Sequence, residues 1–379
     1  MKKTIICHSF PSWDAPYIKS TMELMKRLSS DHRVIIIDYH YTWKDLFTCK
    51  YAPKKLLLGF ERRWRKVNTK HGEVEIYNSP PIIPVNWINN KRLFRMVAGI
   101  NGWLLRNTFK RLQKRVTASE TVLVNAFNPV YGLLTDKVWN VSQRVYYCYD
   151  EIKGTSWSNK WGAVYEEEYL KKVDRVLTTS PKLLAVKSKA NPNCHIVKNG
   201  VDLDIFQNPK LLKSKKWTIG YIGAIDNRID ASLVSAIARS LPEYQFKLIG
   251  PVVSQTVARQ WDKVMNIECT GAVDQALLPA MINNMDACII PFAKNKLTEA
   301  IYPLKINEYL AMGKPVVSTD FADLTDFKSL ISIGHDPEQF VQSLERELKG
   351  NTRLRIQKRI KFAEQNSWES RAEEFACYL

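Results

Sequence analysis

A lysine and a glutamate three residues apart, Lys305 and Glu308, are well placed in this sequence to bind a charged ligand. The pattern from Tyr302 to Met312 predicts a helix, and positions i and i+3 of a helix share a face. A helix N-terminus with a lysine in its first turn suits a diphosphate. Glu308, one turn further on, could accept the two hydroxyls of a ribose. An ordinary surface ion pair on a crossover helix would have the same spacing.

A glycine-containing turn offers a second set of phosphate contacts. Gly220, Gly223 and Arg228 belong to a glycine loop that we expect to follow a strand and to precede a helix. Glycines let a backbone pass close to phosphates, and Arg228 could hold them from the side opposite Lys305. Simple tight packing of the turn is the alternative interpretation.

The elements around these residues alternate between strands and helices, which is typical of doubly wound parallel sheets. We predict six strands in the first half of the chain: Thr4–Phe10, Arg33–Tyr39, Val74–Ser79, Thr121–Phe127, Arg144–Asp150 and Arg175–Ser180. The six predicted in the second half are Thr218–Ile225, Tyr244–Gly250, Asn266–Gly271, Ala287–Ala293, Pro315–Thr319 and Leu330–Ile333. Two such sheets facing each other would make a cleft with one substrate per domain.

The stretch PLKINEYLAMGKPVV, residues 303–317, resembles the donor-binding signature of GT-B glycosyltransferases. Four earlier segments follow that family's order and spacing: NGVDLDIF, IGYIGAIDNRID, KLIGP and TGAVDQALLPAMINNMDACIIPF. Together they cover nearly all of residues 195–320, and the first half matches in pattern alone. The resemblance is to family-4-like enzymes, glycosyl transferases group 1, of the teichuronic-acid and exopolysaccharide type.

This resemblance implies a GT-B fold with two Rossmann-like domains. We expect a basic acceptor-binding domain at 1–198, a donor-binding domain at 199–364 and a C-terminal helix at 365–379 that crosses back. The implied activity is transfer of a sugar from a nucleotide-diphosphate sugar to a glycan acceptor, expected to be lipid-linked, in bacterial surface polysaccharide biosynthesis. The donor-binding residues it implies are Gly223, Arg228, Tyr302, Leu304, Lys305 and Glu308. Many family-4 members carry Gly-Arg where this chain has Gly223-Ala224.

Asp150 is the leading candidate for a catalytic base, because it ends a predicted strand, where active groups lie in such sheets. A base takes the proton of the acceptor hydroxyl as it attacks the anomeric carbon. The similar position in the xanthan glucuronosyltransferase group, which inverts stereochemistry, is also an aspartate. Alternatively, Asp150 caps the next segment. Asp14 is the second candidate for the base, or a residue that binds the acceptor. Trp13 beside it could stack on a sugar. Packing of the loop is the alternative explanation for both residues.

Stereochemistry and metal use follow from two further comparisons with the family. Retaining family-4 enzymes often place a histidine before a proline, where this chain has Phe127-Asn128-Pro129, so inversion is favoured and retention remains the alternative.

Asp202 and Asp204 have the Asp-x-Asp spacing of a metal site, but they fall in the interdomain linker of the pattern, where capping of a helical turn fits better. We therefore expect no metal and no cofactor.

Positive charge is concentrated in the first half of the chain. Residues 1–200 contain 34 Lys and Arg against 16 Asp and Glu, whereas residues 201–379 contain 22 of each. Lys50–Lys70 and Lys91–Arg115 each hold eight basic residues mixed with apolar ones. This composition is typical of an interfacial helix on anionic lipid, although in Lys91–Arg115 a core helix with a solvated basic face is the alternative.

The remaining composition indicates which binding partners and which cellular compartment to expect. None of the helix-turn-helix, zinc-finger or RNA-binding signatures occurs, so nucleic acid is not an expected partner. Seven cysteines without C-x-x-C spacing indicate reduced thiols, and no signal segment or run of 18 apolar residues is present. We expect a cytoplasmic protein held peripherally at the inner face of the plasma membrane.

Two other functions fit the same fold. A nucleotide-sugar 2-epimerase would need catalytic carboxylates and a histidine pattern that we do not find. A catalytically silent GT-B scaffold that binds glycan or nucleic acid would leave Lys305→Ala without effect.

Overall fold

The computed structural model describes residues 2–16, 19–116, 120–155, 160–207 and 216–379. The chain divides into two compact units. Unit 1 comprises residues 1–198 and 371–379, and unit 2 comprises residues 199–370.

Unit 1 is built on an eight-stranded sheet. Its strands are β1 (Thr4–Ser9), β2 (Arg33–Ile37), β3 (Trp64–Asn68), β4 (Glu73–Tyr77), β5 (Thr121–Ala126), β6 (Gln143–Cys148), β7 (Arg175–Thr178) and β8 (Cys194–Ile196). Its helices are α1 (Ser20–Leu28), α2 (Asp45–Thr48), α3 (Lys54–Leu58), α4 (Lys91–Gln113), α5 (Pro129–Thr135), α6 (Gly162–Leu170) and α7 (Pro181–Lys187).

The strand order of unit 1 is β3-β4-β2-β1-β5-β6-β7-β8, and every neighbouring pair except β3 and β4 is parallel. The order reverses between β1 and β5, so a crevice opens beyond their carboxyl ends. The central strands β1 and β5 are buried along their whole length, as expected for a parallel sheet covered on both faces.

Unit 2 contains a six-stranded parallel sheet in the order β11-β10-β9-β12-β13-β14. Its strands are β9 (Thr218–Ile222), β10 (Gln245–Ile249), β11 (Ile267–Gly271), β12 (Ala287–Ile290), β13 (Val316–Ser318) and β14 (Ser332–Ile333). Its helices are α8 (Ala231–Ser240), α9 (Gln255–Ala258), α10 (Leu278–Asn283), α11 (Leu304–Ala311), α12 (Pro337–Lys349), α13 (Arg353–Gln365) and α14 (Trp368–Ala376), whose last residues belong to unit 1. The order reverses between β9 and β12, and this is the order of a Rossmann sheet.

All twelve predicted strands are present, in most cases shortened at one or both ends. The sequence prediction missed β3 and β8. It was wrong about Lys50–Lys70 as one interfacial helix, because this segment holds the short helix α3, a turn at Gly59 with φ +84° and the strand β3. The strand was not predicted because charged residues dominate its sequence. Such residues are tolerated in β3 because it lies at the edge of the sheet.

The second basic segment does form a long helix, α4, over 23 residues. One face of α4 is buried in unit 1 through Phe94, Leu105, Phe109 and Leu112. Within the described part of the chain, no helix is long and apolar enough to cross a membrane.

Candidate active site

The crevice of unit 2 is shaped by a glycine turn after β9. Gly223 has φ +152°, and a Cβ there would lie 2.6 Å from the hydroxyl oxygen of Tyr221. Gly250, after β10, packs against it, since its Cβ would lie 2.0 Å from the Gly223 carbonyl oxygen. No side chain fits at either position, so no Cβ covers the backbone of these two glycines at this end of the sheet.

Helix α11 is fastened across this end of the sheet. The buried Tyr309 hydroxyl accepts a hydrogen bond of 2.7 Å from the backbone N–H of Ile222, the last residue of β9. This contact ties α11, which follows β12, to the neighbouring strand on the other side of the switch point. The second turn of α11 therefore contacts the strand end that leads into the glycine turn.

The predicted pair on α11 forms in the structure. The Lys305 ammonium lies 3.1 Å from Oε2 of Glu308. Glu308 is 1% exposed, whereas 27% of the Lys305 side chain is exposed. Burial raises the pKa of Glu308, and the Lys305 ammonium partly offsets this rise. Within the described residues, the other carboxylate oxygen of Glu308, Oε1, accepts no hydrogen bond.

This arrangement can bind a ligand that donates hydrogen bonds and carries negative charge. A buried acceptor without a partner costs free energy, and a ligand hydroxyl would recover it. The Lys305 side chain is partly exposed at the first turn of the helix, where the dipole also favours an anion. A ribose beside a diphosphate has both properties.

One predicted donor residue, Tyr302, lies outside the helix that the prediction gave it. Helix α11 begins at Leu304 rather than at Tyr302, because Pro303 takes the extended conformation of an N-cap. Leu304 is the first helical residue, and Tyr302 precedes the helix. The Tyr302 ring is buried 5.3 Å from that of Phe327, and its carbonyl accepts from Asn199. The sequence pattern could not show this because a proline is compatible with either boundary.

Arg228 is tied to a carboxylate within its own loop. Its Nε and Nη2 donate to the two oxygens of Asp226 over 2.9 and 2.7 Å, and its guanidinium lies 5.5 Å from the centre of the Phe292 ring. The Arg228 carbonyl accepts from the N–H of Ala293, just past β12. Arg228 thus lies beside the switch point, in an orientation fixed by Asp226.

The two predicted catalytic aspartates are both in unit 1. Asp150 follows β6 by two residues, and its carbonyl accepts from the Cys148 thiol. It is partly exposed at the carboxyl end of the sheet, where the prediction placed it. Asp14, in the loop after β1, pairs with the Arg65 guanidinium over 2.5 Å. Trp13 beside it lies 5.7 Å below the Lys26 ammonium.

A pocket at the switch point of unit 1 was not predicted. It has a volume of about 680 Å³ and opens beyond the carboxyl ends of β1, β2 and β5. Aromatic rings line much of it: Phe10, Tyr39, Trp87, Phe94, Phe127, Tyr131 and Trp161. Lys44 and Lys160 add positive charge. Phe127 has φ +58°, an uncommon conformation for a bulky residue that the sequence could not reveal.

Two buried histidines contact each other here: His40, which lines this pocket, and His8. Nε2 of His8 and Nε2 of His40 are 2.6 Å apart, and Nδ1 of His40 is 2.8 Å from the Ser79 hydroxyl. Burial lowers the pKa of His8 to about 3 and also lowers that of His40, so both rings are neutral at physiological pH. The sequence gives no signal for this contact, because the two residues are 32 positions apart.

The Asp-x-Asp pair has a local backbone contact. Oδ1 of Asp202 accepts a hydrogen bond from the backbone N–H of Asp204. Across the described ranges, no group of three or more His, Cys, Asp or Glu side chains is arranged to hold a metal ion.

Comparison with known proteins identifies the domain and the fold. Residues 216–349 match the family described as glycosyl transferases group 1. This chain is 27% identical over 183 residues to TuaH of Bacillus subtilis. The name of TuaH provisionally describes it as a teichuronic acid biosynthesis glycosyltransferase. That match covers 45% of each chain, so it spans less than half of TuaH.

Solved structures resemble the whole chain. Sucrose-phosphate synthase from Thermosynechococcus elongatus superposes with a TM-score of 0.74 at 14% identity, covering 100% of this chain and 98% of that one. Anabaena HepE, solved with UDP and glucose, has a TM-score of 0.64 at 13% identity over 99% and 98% of the two chains. The predicted GT-B fold, with two parallel-sheet α/β domains, is confirmed.

Proposed function

The chain carries a glycosyl transferases group 1 domain within a GT-B fold, and we propose that it transfers a sugar from a nucleotide-diphosphate sugar to a glycan acceptor. The observation that carries this proposal is the Lys305–Glu308 pair, which leaves a buried carboxylate oxygen without a partner at the unit 2 switch point. The similarity to TuaH and the UDP bound to HepE support the same class of substrate.

In the proposed donor complex, the ribose hydroxyls donate to Glu308 and the diphosphate lies at the N-terminus of α11. Lys305 and the helix dipole neutralise the charge that develops on the diphosphate as it leaves, so the chemistry needs no metal. Gly223 gives the phosphates access to the backbone. Arg228 would reach them from its position beside Asp226.

The acceptor in this proposal occupies the aromatic pocket of unit 1. Rings stack on sugar faces, while Lys44 and Lys160 suit a phosphate that links the sugar to a lipid. Large apolar side chains beside the pocket are exposed to solvent: Trp43, Phe47 and Trp87. A lipid-linked acceptor would account for both the charge and the exposed apolar surface.

The anionic membrane surface is the proposed partner of α4. Four apolar side chains with spacings of three, four and three residues are exposed on this helix: Leu93, Met96, Ile100 and Trp103. Basic residues flank them, among them Arg92 and Arg95, which are also exposed. An apolar stripe with basic neighbours is the pattern of a helix that lies in the membrane interface.

Asp150 is the proposed base of an inverting reaction. Its carboxylate takes the proton of the acceptor hydroxyl while that oxygen forms a bond to the anomeric carbon, and the bond to the nucleoside diphosphate breaks. Asp150→Asn should lower the rate of sugar transfer by about 10²–10⁴-fold and leave nucleotide binding unchanged. Asp14→Asn is the matched comparison, and a larger loss in that variant would make Asp14 the base instead.

A thermal-shift experiment tests the donor site. UDP, GDP, dTDP and CMP sugars are added without metal to the wild type, to Lys305→Ala and to Lys349→Ala. Lys349 is a matched control, because it also pairs with a glutamate on a unit 2 helix, Glu345 at 3.3 Å, but is largely exposed.

At 100 times its dissociation constant, the correct nucleotide should stabilise the wild type by about 2.7 kcal/mol. Lys305→Ala should lose this stabilisation and Lys349→Ala should keep it. If no nucleotide shifts the wild type, or if Lys305→Ala responds like the wild type, the donor site is not at α11.

A further inference from the structure

A second concave surface in unit 1, which we call the cationic groove, lies between the β3–β4 edge of the sheet and the end of α4. It has a volume of about 710 Å³. Five basic side chains and two aromatic ones line it: Arg33, Arg62, Arg63, Lys66, Arg115, Trp64 and Tyr77. It shares no lining residue with the aromatic pocket described above.

The antiparallel pairing of β3 with β4 builds the floor of the groove. Trp64 lies opposite Tyr77, and their rings are 6.1 Å apart. Lys66 is two residues along the same strand and therefore projects from the same face. Arg115, just after α4, places its guanidinium 5.8 Å from the centre of the Trp64 ring. The β3–β4 pair, the start of β2 at Arg33 and the end of α4 thus bring together charges that are up to 82 residues apart.

The positive charge of the groove is only partly compensated. Glu75 accepts from Arg33 over 2.7 Å, and Glu73 pairs with Lys66 over 2.7 Å. Arg63 donates to the carbonyls of Leu56 and Leu57, which carry no net charge. In the described part of the chain, neither Arg62 nor Arg115 lies within salt-bridge distance of a carboxylate. Three positive charges remain for an anion.

Exposed apolar side chains stand beside this charge. The turn at Gly59 leads directly into Arg62 and Arg63, and Phe60 on that turn is 80% exposed. Leu58, at the end of α3, is exposed as well. A soluble anion would need no apolar contact next to its site, whereas a lipid presents a charged headgroup beside an acyl layer.

We infer that the cationic groove binds the phosphate of an anionic phospholipid headgroup, with Phe60 and Leu58 entering the acyl region. Arginine suits this role because its planar guanidinium can donate two hydrogen bonds to one phosphate. The inference rests on the proposed function, in which unit 1 works at a membrane surface. It adds a defined headgroup site to the exposed stripe of α4.

Vesicle binding tests the inference on the full chain. Sedimentation with vesicles of 30% phosphatidylglycerol in phosphatidylcholine is measured for the wild type, Arg62→Gln/Arg115→Gln and Phe60→Ser. The matched control is Lys172→Gln/Lys189→Gln, which removes the same charge from exposed residues of unit 1 outside the groove. Circular dichroism and thermal unfolding verify that each variant is folded.

The groove variant should lower the partition coefficient by about 25-fold, since each of the two basic side chains near an anionic leaflet contributes about fivefold. The control pair should lower it by less than about threefold. Phe60→Ser should weaken vesicle binding and leave binding of inorganic phosphate unchanged.

Three outcomes would overturn the inference. Equal losses in the groove variant and in the control would show that only net charge matters. Full competition by millimolar inorganic phosphate with no effect of Phe60→Ser would assign the groove to a free phosphate. Polygalacturonate, an acidic polysaccharide, serves as a third probe. If the groove variant lost binding to it while vesicle binding stayed unchanged, the groove would be assigned to an acidic glycan. Since vesicle binding is measured without a nucleotide, failure of the donor site leaves this test intact.

Discussion

Both units contain a lysine paired with a buried glutamate, and the pairs differ in whether their hydrogen bonds are complete. In unit 1, the Lys187 ammonium is buried and donates to Glu166 over 2.8 Å and to Glu151 over 3.1 Å. The second oxygen of Glu166 accepts from the Tyr146 hydroxyl, and Glu151 also accepts from the N–H of Lys153. In unit 2, Glu308 has only Lys305 on one oxygen and no partner among the described residues on the other.

The difference separates a structural cluster from a binding site. Burial alone would lower the pKa of Lys187, but Cys148, Glu166 and Glu151 beside it raise it above its ordinary value. Every polar atom of that cluster is satisfied by the protein, so a ligand has nothing to add. The Lys305–Glu308 pair leaves one carboxylate oxygen without a partner among the described residues, and its partly exposed lysine can also reach a ligand. Glu308 is thus not part of an ordinary surface ion pair.

Removing the lysine from each pair should give the largest contrast. Lys187→Met leaves two buried carboxylates without a cation, which should lower the free energy of unfolding by about 3–5 kcal/mol. Lys305→Met should cost about 1 kcal/mol, because Lys305 is partly exposed and Glu308 can take up a proton. Guanidinium denaturation checks both values. Equal costs would mean that the Lys305 pair is as structural as the Lys187 cluster.

Acid should destabilise unit 1 more than unit 2. The pKa of His8 is about 3 in the folded protein and about 6.5 in the unfolded chain, so between pH 7 and pH 5 only the unfolded chain gains this proton. This lowers the stability of unit 1 by about 2 kcal/mol, and His40 acts in the same direction. Asp38, whose pKa burial raises to about 6, opposes them by about 1 kcal/mol.

Unit 2 should respond in the opposite sense. Burial raises the pKa values of Glu308 and Asp286, so the folded state takes up protons first and gains stability as the pH falls. Hydrogen exchange by mass spectrometry, corrected for the intrinsic rate, can follow peptides of β5 and β12 at both pH values. His8→Phe should reduce the pH dependence of unit 1 by about half. An unchanged slope in that variant would assign the acid sensitivity to other groups.

The sequence predicted the architecture because most of the parallel strands are short apolar runs bounded by turns. The strand β3 was not predicted because charged and polar residues dominate its sequence, Trp64-Arg65-Lys66-Val67-Asn68. The contact between Lys305 and Glu308 follows from helix geometry, so it was predictable. The burial of Glu308 was not, since it depends on how Tyr309 fastens α11 to β9. The pair of His8 and His40 likewise needs the β1–β2 register, which brings distant residues together.

The smallest predicted effect tests the open oxygen itself. Glu308→Gln keeps an acceptor for Lys305 but replaces a charged acceptor of the ribose hydroxyls with a neutral one. The dissociation constant of the nucleotide should rise about tenfold, since hydrogen bonds to charged groups are stronger by about 1–1.5 kcal/mol. Stability should not fall, because the variant no longer buries an ionisable carboxyl.

Glu166→Gln in unit 1 is the matched control for Glu308→Gln. It should lower stability, because Lys187 loses a carboxylate, and it should leave nucleotide affinity unchanged. Isothermal titration calorimetry and thermal unfolding measure the two properties separately. In the wild type, nucleotide binding should also weaken as the pH falls towards the raised pKa of Glu308, and this dependence should be absent in Glu308→Gln. If both glutamine variants changed stability alone, the open oxygen of Glu308 would not be a ligand contact, and the contrast between the two buried pairs would have no functional meaning.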